Sequence, residues 1–135
     1  MKVFSKILLT ILVLTSIISC EKEQGKIPSI KFKSGSGFTS ESNDIVANSL
    51  FKIGIDAYKA ETRDYLSKIT VTKSINDDEA VEIFSKNLSK SERDTYSYEY
   101  SAVAGSDSDE TEKYTFKLTS KNGLTNEVYL TLTVQ

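Results

Sequence analysis

Tyr114-Thr115-Phe116-Lys117-Leu118, then Lys121-Asn122-Gly123, then Val128-Tyr129-Leu130-Thr131-Leu132-Thr133-Val134 is the stretch that decides the fold. Tyr114, Phe116 and Leu118 alternate with Thr115, Lys117 and Thr119. Val128, Leu130, Leu132 and Val134 alternate with Tyr129, Thr131 and Thr133. A period of two puts the apolar set on one face of an extended chain and the polar set on the other. Asn122-Gly123 tolerates the positive φ of a tight turn, so the two runs form a hairpin.

The same alternation recurs upstream. Tyr96, Tyr98 and Tyr100 interleave with Ser97, Glu99 and Ser101, and Phe51, Ile53, Ile55 and Ala57 with Lys52, Gly54, Asp56 and Tyr58. Ile69 and Val71 follow Leu66 in a further run, Val81 and Ile83 begin another, and Ile30 and Phe32 make a short first strand. Ile45-Val46 is a small edge piece, and Ser89–Asp94 a short helical turn. About seven short strands separated by turn signals every ~8–12 residues give an all-β domain of sandwich type. The terminal hairpin resembles the last two strands of bacterial immunoglobulin-like and cadherin-like domains. The resemblance implies an immunoglobulin-like β-sandwich of antiparallel strands over residues 29–135, serving adhesion, spacing or binding. The cysteine pair and tryptophan of antibody domains are absent.

The other end of the chain addresses location. Lys2 and Lys6 precede an apolar run from Ile7 to Ile18, which is too short to span a hydrocarbon core needing ~20 apolar residues. It has the length of a secretory signal's apolar region. Ile17-Ile18-Ser19-Cys20 resembles a bacterial lipobox, and Cys20 is the only cysteine. The resemblance implies that residues 1–19 are removed and that the Cys20 thiol becomes a thioether to diacylglycerol. Residues 20–28 then form a lipidated, flexible tether. Two or three acyl chains hold a protein stably on a bilayer where one does not. Glu21-Lys22-Glu23 is similar to the charged export signals of Bacteroidetes-type surface lipoproteins. The implied location is the bacterial cell envelope, lipid-anchored at the outer membrane.

Composition narrows the function. The net charge of −2 supplies no basic field for nucleic acid. Histidine is missing altogether, and Cys20 is committed to lipid, so the common acid–base and thiol-nucleophile designs have no residues to use. The expectation is a protein that is not an enzyme: a non-catalytic envelope lipoprotein whose sandwich serves binding or adhesion, with the membrane and a protein or glycan as partners. A glycan-binding accessory of a polysaccharide-uptake system is one alternative, and a Ca²⁺-stabilised spacer is another.

Two clusters are candidate sites. Tyr96, Tyr98 and Tyr100 share a strand face that, if exposed, would be a stacking platform for sugar rings. With Ser97, Glu99 and Ser101 on the wet side, the tyrosines are expected to turn into the core, hydroxyls toward the edge. Asp107, Asp109 and Glu110 place oxygen ligands close together in an acidic loop, as Ca²⁺ requires. The loop lacks the glycine and terminal glutamate of an EF-hand, and a solvated turn is the preferred reading; Asp77-Asp78-Glu79 is a second such turn. No other cofactor is expected.

Overall fold

The computed structural model describes residues 25–135. The expected signal peptide, Cys20 and the first part of the tether lie outside the described residues. Eight strands form: β1 (Ser29–Phe32), β2 (Asn43–Ile45), β3 (Leu50–Tyr58), β4 (Leu66–Ile75), β5 (Val81–Asn87), β6 (Thr95–Val103), β7 (Thr111–Ser120) and β8 (Thr125–Val134). They build a three-stranded sheet, β1-β3-β6, facing a five-stranded sheet, β2-β8-β7-β4-β5. The all-β, two-sheet expectation holds.

Two details correct it. The strands number eight instead of about seven, and β2 runs parallel to β8, pairing Asn43 with Leu132 and Ile45 with Val134. After β1 the chain leaves the small sheet and crosses to the edge of the large one. It arrives there in the direction of β8, so the added edge is parallel.

The alternation works as the sequence demands. Tyr114, Phe116 and Leu118 of β7 and Leu130, Leu132 and Val134 of β8 are fully buried. Opposite them lie Ile53, Ile55 and Ala57 of β3, equally buried. Phe32 meets Phe116 edge-on at 6.0 Å across the sheets, and Phe51 meets Tyr114 at 5.4 Å. Each such side chain contributes about 1.5–3 kcal/mol through burial. The hairpin turn is where Asn122-Gly123 put it, with Gly123 at φ 80°.

On the outer face of the small sheet, the Phe38 ring lies so close to Gly54 that a Cβ there would sit 2.7 Å from it. Lys33 and Lys52 flank that ring at 5.6 Å, and both pair with Glu99. A 3-10 turn, Lys90–Glu92, stands where the helical turn was expected.

The sandwich has two distinct ends. At the near end, where β1 begins, lie the turns 59–65, 88–94 and 121–124. At the far end lie the turns 46–49, 76–80 and 104–110.

Candidate functional site

At the far end of β4 the inward register carries a cation. Ile69 and Val71 point into the core, and Lys73 follows them on the same side. Its strand neighbour β7 carries a carboxylate on the inward register, Glu112, two residues before Tyr114. Lys73 Nζ stands 2.8 Å from Glu112 Oε1. The Tyr114 hydroxyl donates to Glu112 Oε2 at 2.7 Å, and the Gly105 amide donates to Oε1 at 3.1 Å. A buried carboxylate is tolerable only when paired and hydrogen-bonded in this way.

The two charges differ in access to water. The Glu112 side chain is 1% exposed, whereas that of Lys73 is 24% exposed. Burial works against the Glu112 anion, but the bonds from Lys73 and Tyr114 outweigh it and hold the carboxyl below its usual range. Burial first, then the hydrogen bond to Glu112, pushes the Tyr114 phenol well above its ordinary value. Tyr100 and Phe51 pack on the Tyr114 ring, and the Lys73 ammonium sits 5.5 Å from its centroid.

Lys73 opens into a cavity of about 310 Å³, walled by Ile75, Val81 and Ile83 and rimmed by Asp78 and Glu79. Val81 pairs with Lys73 across the ladder and so shares its side of the sheet. The β4–β5 register shifts between Val71 and Thr72. Such a bulge bends an edge strand and re-aims its side chains. Ile75, Val81 and Ile83 consequently stand exposed around the mouth, not buried as strand alternation implies. The lysine charge is answered by Glu112, which leaves Asp78 and Glu79 as the excess negative charge.

The sequence-derived candidates fall elsewhere. Tyr96, Tyr98 and Tyr100 turn into the sandwich and pack, partly buried, against its core. Tyr98 stacks on Phe84 at 4.3 Å between the free edges β5 and β6, and Lys86 lies over Tyr96 at 5.2 Å. Tyr58 and Tyr129 are exposed. Asp107, Asp109 and Glu110 lie in the β6–β7 turn, at the same end as Asp77-Asp78-Glu79. Asn76 ties the two turns together, its side-chain oxygen accepting from the Thr111 amide at 2.9 Å. No group of three or more potential metal ligands forms among the described residues. Glu112, two residues beyond the acidic loop, is part of β7 and buried. Lys73, Glu112 and the mouth were missed. The available signal was a charged residue on the apolar register of each of two strands that turn out to be neighbours.

No family model matches the chain, and no curated protein does. Among solved structures, the superoxide reductase (neelaredoxin) from Ignicoccus hospitalis superimposes with a TM-score of 0.53 at 8% identity, covering 82% of this chain and 81% of that one. At that identity the likeness is one of fold. It still corrects two sequence expectations. The sandwich was taken as the mark of a non-catalytic adhesion, glycan-binding or Ca²⁺-stabilised spacer module, and of a protein that is not an enzyme. The fold behind that argument is also the fold of an enzyme. Architecture hosts unrelated functions, so function has to be argued from the site.

Proposed function

We propose that the domain takes a small amphipathic ligand with a cationic end in the mouth between β4 and β5, and that it does so while held at a bacterial envelope membrane by lipid on Cys20. One observation carries the first half: the buried Lys73–Glu112–Tyr114 network ends in an open apolar mouth instead of being sealed in the core. Perturbed titratable groups behind an apolar concavity are the general mark of a ligand site. Ile75, Val81 and Ile83 receive the apolar body, and Asp78 with Glu79 faces the cationic head. A volume near the ~300 Å³ lower bound of such sites suits a chain of roughly four to eight carbons.

The test follows methyl resonances of Ile75, Val81 and Ile83 in the Cys20→Ser chain during titration with n-hexylammonium or hexanoate. The ammonium should shift these methyls and bind about fivefold tighter than the carboxylate, the effect of two exposed rim charges. Asp78→Asn with Glu79→Gln should abolish the preference. Shifts mapping elsewhere, or equal affinity for both probes, refute the reading.

The membrane half is supported by the lipobox-like Ile17-Ile18-Ser19-Cys20. Incorporation of a fatty-acid analogue should occur in the unaltered chain and vanish in Cys20→Ala. The finer reading of the sandwich as immunoglobulin-like is supported by strand order. β1-β3-β6 and β8-β7-β4-β5 correspond to strands A-B-E and G-F-C-C′ of that plan.

A further inference from the structure

The turns at the two ends of the sandwich carry opposite charge. At the far end, Asp77, Asp78, Glu79, Asp107, Asp109 and Glu110 stand in turns 76–80 and 104–110 with no lysine or arginine among them. At the near end, Lys26 follows Gly25 just before β1. Turn 59–65 adds Lys59 and Arg63, turn 88–94 adds Lys90 and Arg93, and turn 121–124 adds Lys121. Four carboxylates accompany these six cations: Glu61, Asp64, Glu92 and Asp94. Two of the four are in ion pairs, Asp94 with Lys59 and Glu92 with Lys86.

Two of the remaining cations converge. Arg93 lies 4.3 Å from the Tyr65 ring centroid and Lys121 5.5 Å from the same ring. Among the described residues neither has a carboxylate within ion-pair distance, and the buried Arg93 Nε has no hydrogen-bond partner. Two like charges held beside one ring repel unless an anion answers them. At the same end a depression of about 640 Å³ is lined by Lys26, Lys59, Glu61 and Arg63, with Ala60 and Thr62. Ile27, which follows Lys26 in the chain, is a large apolar side chain 59% exposed.

We infer that this near end is a docking face for anionic lipid headgroups, which lays the sandwich on the bilayer and turns the acidic end with its mouth outward. Cations within a Debye length of an anionic leaflet are each attracted to it, and Ile27 is placed to enter the interfacial layer. From Cys20 to Ser29 the chain spans at most roughly 30 Å at ~3.3–3.6 Å per residue, so a lipidated Cys20 keeps the face within reach of headgroups. The inference rests on the lipid-tether reading for that last step alone. The charge pattern stands without it.

The test therefore uses the full chain with Cys20→Ser and vesicles of phosphatidylcholine alone or with 30 mol% phosphatidylglycerol. Sedimentation at low salt should show at least ~10-fold stronger partition onto the anionic vesicles, falling below ~2-fold at 0.5 M salt. The leader, with Lys2 and Lys6, adds its own anionic preference to the unaltered chain and to every variant alike, so the face is read from the difference between them. Arg63→Ser with Lys90→Ser and Lys121→Ser, all at exposed positions, should lower the preference by about fivefold per cation. Asp77→Ser with Asp107→Ser at the far end should keep it. Equal partition onto both vesicles, or a triple variant matching the unaltered chain while melting normally, overturns the inference. Loss of binding on adding inorganic phosphate at constant ionic strength also overturns it, by assigning the face to a free anion. Fatty-acid labelling reports separately on Cys20, so failure of the tether and failure of the face are distinguishable.

Discussion

Lys73→Met is the most informative single change, because it removes the cation paired with the buried Glu112 carboxylate. Breaking a buried pair from one side costs about 3–5 kcal/mol, chiefly because the other charge stays buried. Here the cost is reduced in two ways. Glu112 keeps the Tyr114 hydroxyl and the Gly105 amide, and the mouth admits water to the place of the ammonium. We expect about 2–3 kcal/mol at pH 7.5. With a urea m-value of about 1–3 kcal/mol/M for a small domain, the midpoint should fall by roughly 0.7–3 M. Lys73→Met with Glu112→Gln should be more stable than Lys73→Met alone, since no uncompensated charge remains.

The pH dependence tests the cause. In the unaltered chain Glu112 titrates below its ordinary 4.5. It therefore supports the fold above that value, and the support is lost as pH falls through the folded pKa. Without Lys73, burial is no longer outweighed and the Glu112 pKa rises. The variant is then most stable with Glu112 protonated and loses stability as pH rises through 4.5 toward the new value. The deficit of Lys73→Met should be small near pH 4 and full near pH 7.5. A deficit that ignores pH, a loss under about 0.5 kcal/mol at pH 7.5, or strict additivity in the double variant would refute the account of the network.

Tyr114→Phe should cost about 1–2 kcal/mol by leaving Glu112 Oε2 without its donor. Because the folded phenol titrates above its usual 10, it also contributes a loss of stability as pH rises beyond that value, and the alkaline limb should flatten in the variant. Glu92 is held down to about 2 by hydrogen bonds from Lys86 and Ser89, so its support is present above 4.5 and lost as pH falls toward 2. Glu92→Gln should flatten the acid limb of a melting-temperature profile. Gly54→Ala places a methyl 2.7 Å from Phe38 and Lys33, and should cost about 1 kcal/mol in urea unfolding while displacing the Phe38 ring resonances. Phe84→Ala removes the ring stacked on Tyr98 and should cost about 2–3 kcal/mol, less than a sealed core position because Phe84 is only partly buried.

The sheets were legible in the sequence because β3, β6, β7 and β8 obey alternation without interruption, and each buried set names its own inward face. The far-end site was not, for a physical reason. Alternation assigns a residue to a side of a strand, but not to the depth of cover on that side. Lys73, Ile75 and Val81 share the inward side of the large sheet, yet Glu112 beside them is sealed while Ile75 and Val81 meet solvent. The register of β2 was equally hidden, since a three-residue edge carries no pattern that distinguishes parallel from antiparallel pairing.

The difference in cover follows from unequal sheets. Three strands cannot roof five, and aromatic contacts show where the roof falls. β1 and β3 meet β7 through Phe32–Phe116 and Phe51–Tyr114, and β6 reaches β5 through Tyr98–Phe84. Toward the far end of β4 and β5 the bulge after Val71 turns the edge strand, and the inner face of the large sheet is left uncovered at that corner. An apolar corner of that kind, left unsupported, would favour sheet-to-sheet association. Here charge stands at it: Lys73 inside, and Asp78 with Glu79 on the rim. The lysine requires a buried counter-charge, Glu112, and Glu112 in turn requires Tyr114 and Gly105. Shortening the small sheet thus creates the cavity, and guarding the cavity with charge creates the buried network behind it. The acidic rim on an apolar mouth selects the ligand's cationic end by the same charges that keep the corner from associating.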